Sequence, residues 1–226
     1  MEQKNELAVV LVSGGMDSAV VIAMAKKEYK NLAFLHLDYG QKTNDKELKC
    51  YQELADFYKI PHSLRRVIDM KFLQNIGGSS LTDQSIEVSD FKGDSDEIPS
   101  SYVPFRNTHI LAMAVSWAEV MGATQIFIGA NEEDSPGYPD CRQEYYDAYN
   151  NLIRKGTKEG IIQISTPVIH MTKTEIIEKA QKLSVPLNLT WSCYSNSDIA
   201  CGVCDSCALR LRAFKKLKLQ DPISYI

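Results

Sequence analysis

The sequence predicts an α/β fold: a doubly wound parallel sheet with a small C-terminal helical appendage. Three observations carry this expectation. Apolar runs at residues 7–12, 32–37 and 125–128 have the length and unbroken hydrophobicity of strands buried on both faces. Helical patterns alternate with these runs, as successive β-α-β units require. The first run also ends in Ser13-Gly14-Gly15 and passes directly into a helical pattern at Ala19, Val20, Ile22 and Ala23.

Taken in order, that first strand, glycine turn and helix start make an anion site. Glycine lets the backbone turn so that several N–H groups converge, and the helix N-terminus adds a partial positive charge. Residues 32–37 read as the second strand, ending at Asp38-Tyr39-Gly40-Gln41. Asn44 with Glu47 has the spacing of a capping pair opening a helix to about Tyr58, and Pro61 stops it. Residues 62–68 read as a third strand.

Residues 77–101 then break the periodicity, with Gly77, Gly78 and the acids Asp83, Glu87, Asp90, Asp94, Asp96 and Glu97. A loop that long in a compact domain reads either as a mobile lid or edge element, or as a solvated insertion. Val103-Pro104-Phe105-Arg106-Asn107 leads into a helix to about Met121, with Ile110, Leu111, Ala114, Val115 and Ala118 at helical spacing. Residues 125–128 form a further strand, ending at Gly129-Ala130-Asn131. A polar segment to Arg142 and a helix from about Gln143 follow. Thr172 and Glu175 form a capping box for a helix over 172–183. There is no internal repeat.

A chain of 226 residues suits one α/β domain with an appendage. The net charge of −4 gives no general attraction to nucleic acid or an anionic membrane. No apolar run approaches the roughly 20 residues of a membrane span. No charged-then-apolar leader precedes Leu7, and a cytoplasmic location is expected.

The glycine turn lacks the Lys of the Walker A pattern and so is not expected to grip a γ-phosphate as kinases do. Ser13 and Ser18 supply hydroxyl donors; the plainer reading is a tight turn with Asp17 as a cap. Four of the six cysteines crowd into Cys193-x7-Cys201-x2-Cys204-x2-Cys207. In a cytosolic protein such crowding argues for metal. Four thiolates suit a closed, structural zinc site, with an iron–sulfur cluster as the main rival. His36, His62, His109 and His170 are scattered, which favours packing or surface roles.

The segment from Gly129 to Arg142 carries Asp134, Asp140 and Arg142 among turn-formers, at a strand end where α/β enzymes read substrates. A carboxylate there can accept hydrogen bonds from a guanine-like base; the alternative is a surface loop held by its own Asp–Arg pair. Arg106 and Lys173 are candidate phosphate or carboxylate binders.

SGGMDS, residues 13–18, resembles the pyrophosphate-binding SGGxDS loop of the ATP pyrophosphatase superfamily, and SGGMDS, DYGQ, VPFRN, GYPDCR, TKTE and WSCY with three further cysteines occur together and in order. That set closely resembles the 7-cyano-7-deazaguanine synthase family of the queuosine pathway. The match is looser between Leu73 and Pro99, and the interval between the first two cysteines is short.

The resemblance implies a PP-loop, Rossmann-like fold of the adenine-nucleotide α-hydrolase type over residues 1–188, with 77–101 as a possible lid. A zinc-binding segment and helix over 189–226 would follow. It implies an ATP-dependent ligase, a homodimer, that converts 7-carboxy-7-deazaguanine and ammonia to the nitrile with Mg2+ and one structural zinc. By matching position, Leu11, Val12, Ser13, Gly14, Gly15, Met16, Asp17, Ser18, Asp38, Tyr39, Gln41, Arg106 and Gly129 would contact ATP. Asn131, Asp134, Tyr138, Asp140 and Arg142 would contact the substrate. Ser13, Asp17, Arg106 and Lys173 would assist the chemistry, and Cys193, Cys201, Cys204 and Cys207 would hold zinc. The nucleotide product, AMP or ADP, stays open.

Three other readings stand beside this one. A PP-loop tRNA-modifying enzyme would need a nucleic-acid surface, and Arg210, Arg212, Lys215, Lys216 and Lys218 form the only basic run. As a plain structural feature, that run is a solvated helix whose cations suit its C-terminal dipole. A related ligase could activate another carboxylate, even one on a protein. A zinc module without catalysis could bind nucleic acid, against which the acidic balance and the intact SGGMDS speak.

Overall fold

The computed structural model describes residues 3–91, 93, 98–133 and 138–226. Asp134, Asp94, Asp96 and Glu97 lie outside the described residues. Among the described residues, five strands form one sheet: β1 (Lys4–Leu11), β2 (Tyr29–Asp38), β3 (Arg65–Asp69), β4 (Gln125–Phe127) and β5 (Gln163–Ser165). Seven helices connect or follow them among the described residues: α1 (Met16–Glu28), α2 (Asn44–Phe57), α3 (Phe72–Ile76), α4 (Arg106–Met121), α5 (Gln143–Gly156), α6 (Lys173–Lys182) and α7 (Asp205–Lys216).

The strand order is β3-β2-β1-β4-β5 and every pairing is parallel. The chain winds outward from β1 to β2 and β3, then crosses back to β4 and β5 on the other side. The direction of winding therefore reverses between β1 and β4. In a parallel sheet, such a reversal opens a crevice beyond the carboxyl ends of the two strands.

The apolar runs are unbroken because both sheet faces are covered. Along β1 and just past it, Ala8, Val10 and Val12 join a core with α1, α2 and α6, including Val20, Leu54 and Ile176. Val9 and Leu11 point the other way, into a core with α4 and α5 that holds Leu111, Ala114 and Tyr146. The doubly wound expectation holds. Among the described residues, no helix is long and apolar enough to cross a membrane.

Several local expectations are corrected. The N-cap of α2 is Thr43, with no side-chain cap bond; the expected Asn44–Glu47 pair is absent. Glu47 instead accepts from the Thr43 hydroxyl at 2.8 Å and the Gln41 amide at 3.0 Å, because it faces inward over the glycine turn. His62–Leu64 is a 3-10 turn and the strand starts at Arg65, since the chain must first turn after Pro61 to come alongside β2. The short helix α3 and the three-residue β5 are too brief to leave a periodic signal. The capping box of α6 is present: Thr172 Oγ1 accepts from the Glu175 N–H at 3.2 Å, and Glu175 Oε2 accepts from the Thr172 N–H at 2.7 Å.

Part of the 77–101 insertion is packed, at residues 79–82 and 101, so it is not a wholly solvated loop. Ser79, Ser80 and Thr82 are fully buried. Lys42 N–H donates to the Leu81 carbonyl at 2.9 Å, and Ser80 N–H to that of Ser100 at 2.8 Å. Further on, Phe91 N–H donates to Val203 O at 2.8 Å, and the Arg212 guanidinium lies 4.9 Å from the Phe91 ring.

In the basic run near the C-terminus Arg212, Lys215, Lys216 and Lys218 are exposed, and only Arg210 departs from a solvated helix. Arg210 is 1% exposed. It donates to both oxygens of Asp221 at 2.7 and 2.9 Å and to Thr190 Oγ1 at 2.8 Å. A guanidinium offers a planar fork of donors, so it can bind carboxylate and hydroxyl at once and survive burial. Its role is to fasten α7 to the segments on either side.

Candidate active site and cysteine centre

The crevice at the switch point is a cleft of about 230 Å³. The glycine turn forms its floor. Gly14 has φ +85°, and a Cβ there would meet the Glu47 carbonyl oxygen at 2.7 Å. Gly129, at the end of β4, would place a Cβ 2.8 Å from the Ser18 amide nitrogen. Both positions need glycine, one for its backbone angle and one so that the first turn of α1 can lie against β4. Ser18 Oγ donates to the Gly15 carbonyl at 2.9 Å, and Ser13 Oγ accepts from the Gly15 N–H at 3.2 Å.

Asp17, in the first turn of α1, meets Lys173, in the first turn of α6. Lys173 Nζ donates to Asp17 Oδ2 at 2.5 Å, with only 10% and 14% of the two side chains exposed. The Glu133 carboxylate accepts from the Lys173 N–H, fixing the start of α6. Asp17 Oδ1 is buried without a hydrogen-bond partner, which leaves a carboxylate oxygen available to a cation beside the loop.

The opposite wall carries Arg106, Asn107, Tyr138 and Cys141. Arg106 Nη1 donates to the Tyr39 hydroxyl at 3.2 Å. Burial disfavours its charge, but Tyr39, Tyr138, Cys141 and Asp140 around it outweigh burial and raise its pKa, so it stays charged. Burial pushes the Tyr138 hydroxyl up to about 12, against a hydrogen bond with Ser101, so it remains a neutral donor.

The sequence-derived positions divide. Leu11, Val12, Ser13, Gly15, Met16, Asp17, Ser18, Tyr39, Arg106, Gly129, Asn131, Tyr138 and Lys173 all line the cleft. Asp38 and Gln41 are among residues held elsewhere: Asp38 pairs with Lys71 at 3.0 Å, and Gln41 Oε1 accepts from the Tyr39 N–H at 3.0 Å. Asp140 Oδ2 accepts from the Asn107 N–H at 3.1 Å, which caps the N-terminus of α4. Neither Asp140 nor Arg142 is on the cleft wall, and Gly14 lies beneath it.

Residues not anticipated for the cleft include His36, Glu47, Asn107, Cys141 and Trp191. Asn107 and Cys141 sit inside motifs already singled out. His36 is a single side chain in an apolar run and leaves no signal. Its Nδ1 lies 2.8 Å from the Val12 carbonyl, so Nδ1 carries the proton, and burial lowers its pKa and keeps the ring neutral. Burial also raises the Glu47 carboxyl, against bonds from Thr43 and Gln41.

The four clustered cysteines converge, their Sγ atoms all within 4.8 Å of one another. A zinc tetrahedron with Zn–S near 2.3 Å spaces its sulfurs about 3.8 Å apart, so the donor set fits. Cys193 Sγ also accepts from the N–H groups of Ser195, Asn196 and Cys201 at 3.3–3.4 Å. The Cys204 and Cys207 thiols and these N–H groups together hold Cys193 well below the usual thiol range. The centre adjoins the cleft: Cys193, Tyr194 and Ser206 line it, and Trp191 N–H donates to the Gly14 carbonyl at 2.9 Å.

A family model described as queuosine biosynthesis protein QueC matches residues 7–218. Relatives named 7-cyano-7-deazaguanine synthase, from Chloroherpeton thalassium and Chlorobium phaeobacteroides, are 54% and 55% identical over 219 residues, covering 96% of this chain and 96% of each relative. Among solved structures, the U34-tRNA thiolase NcsA from Methanococcus maripaludis matches with a TM-score of 0.51 at 13% identity, over 81% of this chain and 58% of that one. A likeness at that identity concerns the fold.

Proposed function

This chain belongs to the family of queuosine biosynthesis protein QueC, and we propose that it converts 7-carboxy-7-deazaguanine and ammonia to 7-cyano-7-deazaguanine with ATP. The observation that carries this reading is one cleft that joins a phosphate loop without a Walker lysine to a wall bearing Arg106, Asn107 and Tyr138.

The chemistry requires activation. A carboxylate resists ammonia because its oxygen is a poor leaving group. Attack of that oxygen on the α-phosphorus of ATP forms an acyl-adenylate and releases pyrophosphate. The loop N–H groups and the N-terminus of α1 bind the pyrophosphate, and Lys173 and Arg106 neutralise charge as it develops. Ammonia then adds at the acyl carbon and AMP leaves, giving the amide. A second activation, at the amide oxygen, lets AMP leave again as the nitrile forms. Asp17, whose Oδ1 has no hydrogen-bond partner, would hold a magnesium ion, which would supply further charge neutralisation on the phosphates.

The four cysteines fit a closed zinc site that contributes folding free energy and leaves no position for substrate. The burial of Arg210, the first residue of the basic run, takes one of its five cations out of any nucleic-acid surface there. A homodimer in the cytoplasm completes the reading.

The experiment is mass-spectrometric product analysis with ATP, Mg2+, ammonia and 7-carboxy-7-deazaguanine, with metal analysis of the purified protein. Nitrile with AMP and pyrophosphate supports the adenylate route. ADP with phosphate would move activation to the γ-phosphorus, and no consumption of the acid would overturn the substrate assignment.

A further inference from the structure

Cys141 is a reduced cysteine on the wall of the cleft, 6% exposed, and it lies outside the four-cysteine centre. It closes the short turn Pro139–Cys141 and faces the start of α4. Asn107 Nδ2 donates to its Sγ at 3.4 Å, and the same amide group donates to the Asp140 carbonyl at 2.8 Å, so the Asn107 side chain is fixed in place. Asn107 is the second residue of the sixteen-residue helix α4, so its side-chain bond sets this thiol beside the positive end of that helix. Arg106, which stays charged, is close enough to interact electrostatically with Cys141.

A helix N-terminus and a neighbouring guanidinium are the surroundings that favour a thiolate. The Asp140 carboxylate opposes them: its Oδ2 accepts from the Asn107 N–H at 3.1 Å, while its Oδ1 is buried without a partner. At Cys50, by contrast, burial pushes the thiol up to about 11 against the opposing pull of Lys46 and Lys49. Independently, His36, 1% exposed, lines the same cleft with Nε2 unpartnered, and Arg106 Nε is unpartnered as well. A polar ligand in the cleft would satisfy these atoms.

We propose that Cys141 is a catalytic nucleophile that carries the acyl group as a thioester between activation and amide formation. This rests on the acyl-adenylate reading above. The Cys141 thiolate attacks the carbonyl carbon of the adenylate; the C–S bond forms, the bond from carbon to the phosphate oxygen breaks, and AMP departs with the electron pair. Ammonia then attacks the thioester carbon; the C–N bond forms, the C–S bond breaks, the thiolate is regenerated and one proton is released. No oxidant or reductant is needed. The benefit is retention: AMP can leave before ammonia arrives, while the acyl group stays attached to the enzyme.

The test is intact-protein mass spectrometry of the full chain after mixing with ATP, Mg2+ and 7-carboxy-7-deazaguanine without ammonia, with pyrophosphate release followed in parallel. Expected for the wild type is a mass gain equal to the acid less one water, located on Cys141 by peptide mapping and discharged by ammonia. Cys141→Ala should still release pyrophosphate yet show no mass gain, and its amide formation should fall steeply. Cys141→Ser should form an ester that ammonia discharges more slowly. Pyrophosphate release by the wild type with no covalent adduct would overturn the thioester, as would Cys141→Ala making amide at the wild-type rate. Absence of pyrophosphate release from the wild type would instead overturn the adenylate reading, and the thioester with it.

Discussion

The phosphate loop and the cysteine lobe meet at one hydrogen bond, Trp191 N–H to Gly14 O at 2.9 Å, but different forces hold each in shape. The loop hangs from β1, β2 and β4, and Val9, Val10, Ala33 and Phe34 beneath it are fully buried. Its geometry is imposed by an apolar core that exists without any ligand. The lobe has a small core of its own: Cys50, Trp191, Cys193, Ala200, Cys204 and Cys207. Half of those residues are cysteines of the four-sulfur cluster that could hold a metal. Two polar devices support it, the Arg210–Asp221 ion pair and the isolated bridges Asp90–Cys204 and Ala200–Tyr225. One wall of the cleft is thus prebuilt by hydrophobic burial, and the other rests on polar bonds and on a sulfur cluster that could hold a metal.

Removing the metal tests the contrast most severely. Binding at structural zinc sites is worth about 10–16 kcal/mol in isolated fingers, more than the lobe can recover from its apolar residues. Chelation or Cys204→Ser should lower the melting temperature and expose the lobe to hydrogen exchange while the sheet stays protected. Uniform protection in metal-free protein would show that the lobe has a sufficient core after all.

The ion pair comes next. Arg210→Met leaves the Asp221 carboxylate, with Tyr225 as its remaining side-chain donor, buried without its cation. Removing one partner of a buried pair costs about 3–5 kcal/mol. A urea midpoint unchanged within error would reduce the pair to decoration. The double variant Arg210→Met with Asp221→Leu should recover much of the loss.

On the other wall, Gly14→Ala forces a side chain into φ +85° against the Glu47 carbonyl. Strain of this kind costs about 1–3 kcal/mol. Stability should therefore fall modestly while ATP binding is lost, because the sheet survives and only the loop shifts. Equilibrium dialysis with ATP reads one effect and thermal melting the other; retained ATP affinity would mean the loop tolerates a different path.

The smallest expected effect lies at α6, which carries Lys173 into the cleft. Thr172→Ala removes the capping box at about 1 kcal/mol. The Glu175 carboxyl is held below its ordinary range by the Thr172 N–H and hydroxyl. A depressed carboxyl pKa contributes stability above the ordinary glutamate value, and that contribution is lost as pH falls through the folded pKa. The difference between wild type and Thr172→Ala should accordingly shrink in acid; a difference constant down to low pH would assign the cap to the threonine alone.

Local patterns made a good part of this molecule legible. The buried runs, the glycine turn, the Thr172–Glu175 box and the cysteine spacing are each encoded within about ten residues, where periodicity and backbone preference act directly. They predicted the parallel sheet, the glycine turn between β1 and α1, and the convergence of four sulfurs. What the tertiary structure decided are the encounters across long stretches of chain. Lys173 reaches Asp17 from 156 positions away. Asp140 caps the helix that begins at Arg106, though as one acid in a polar segment it looked equally suited to a base. Arg210 looks like part of a solvated cationic helix and is among the most buried side chains. Hydrophobic spacing specifies which face of an element turns inward, but not which polar group from another element will meet it there. That second choice is made by packing, when burial obliges each charge and hydrogen-bonding group to find a partner.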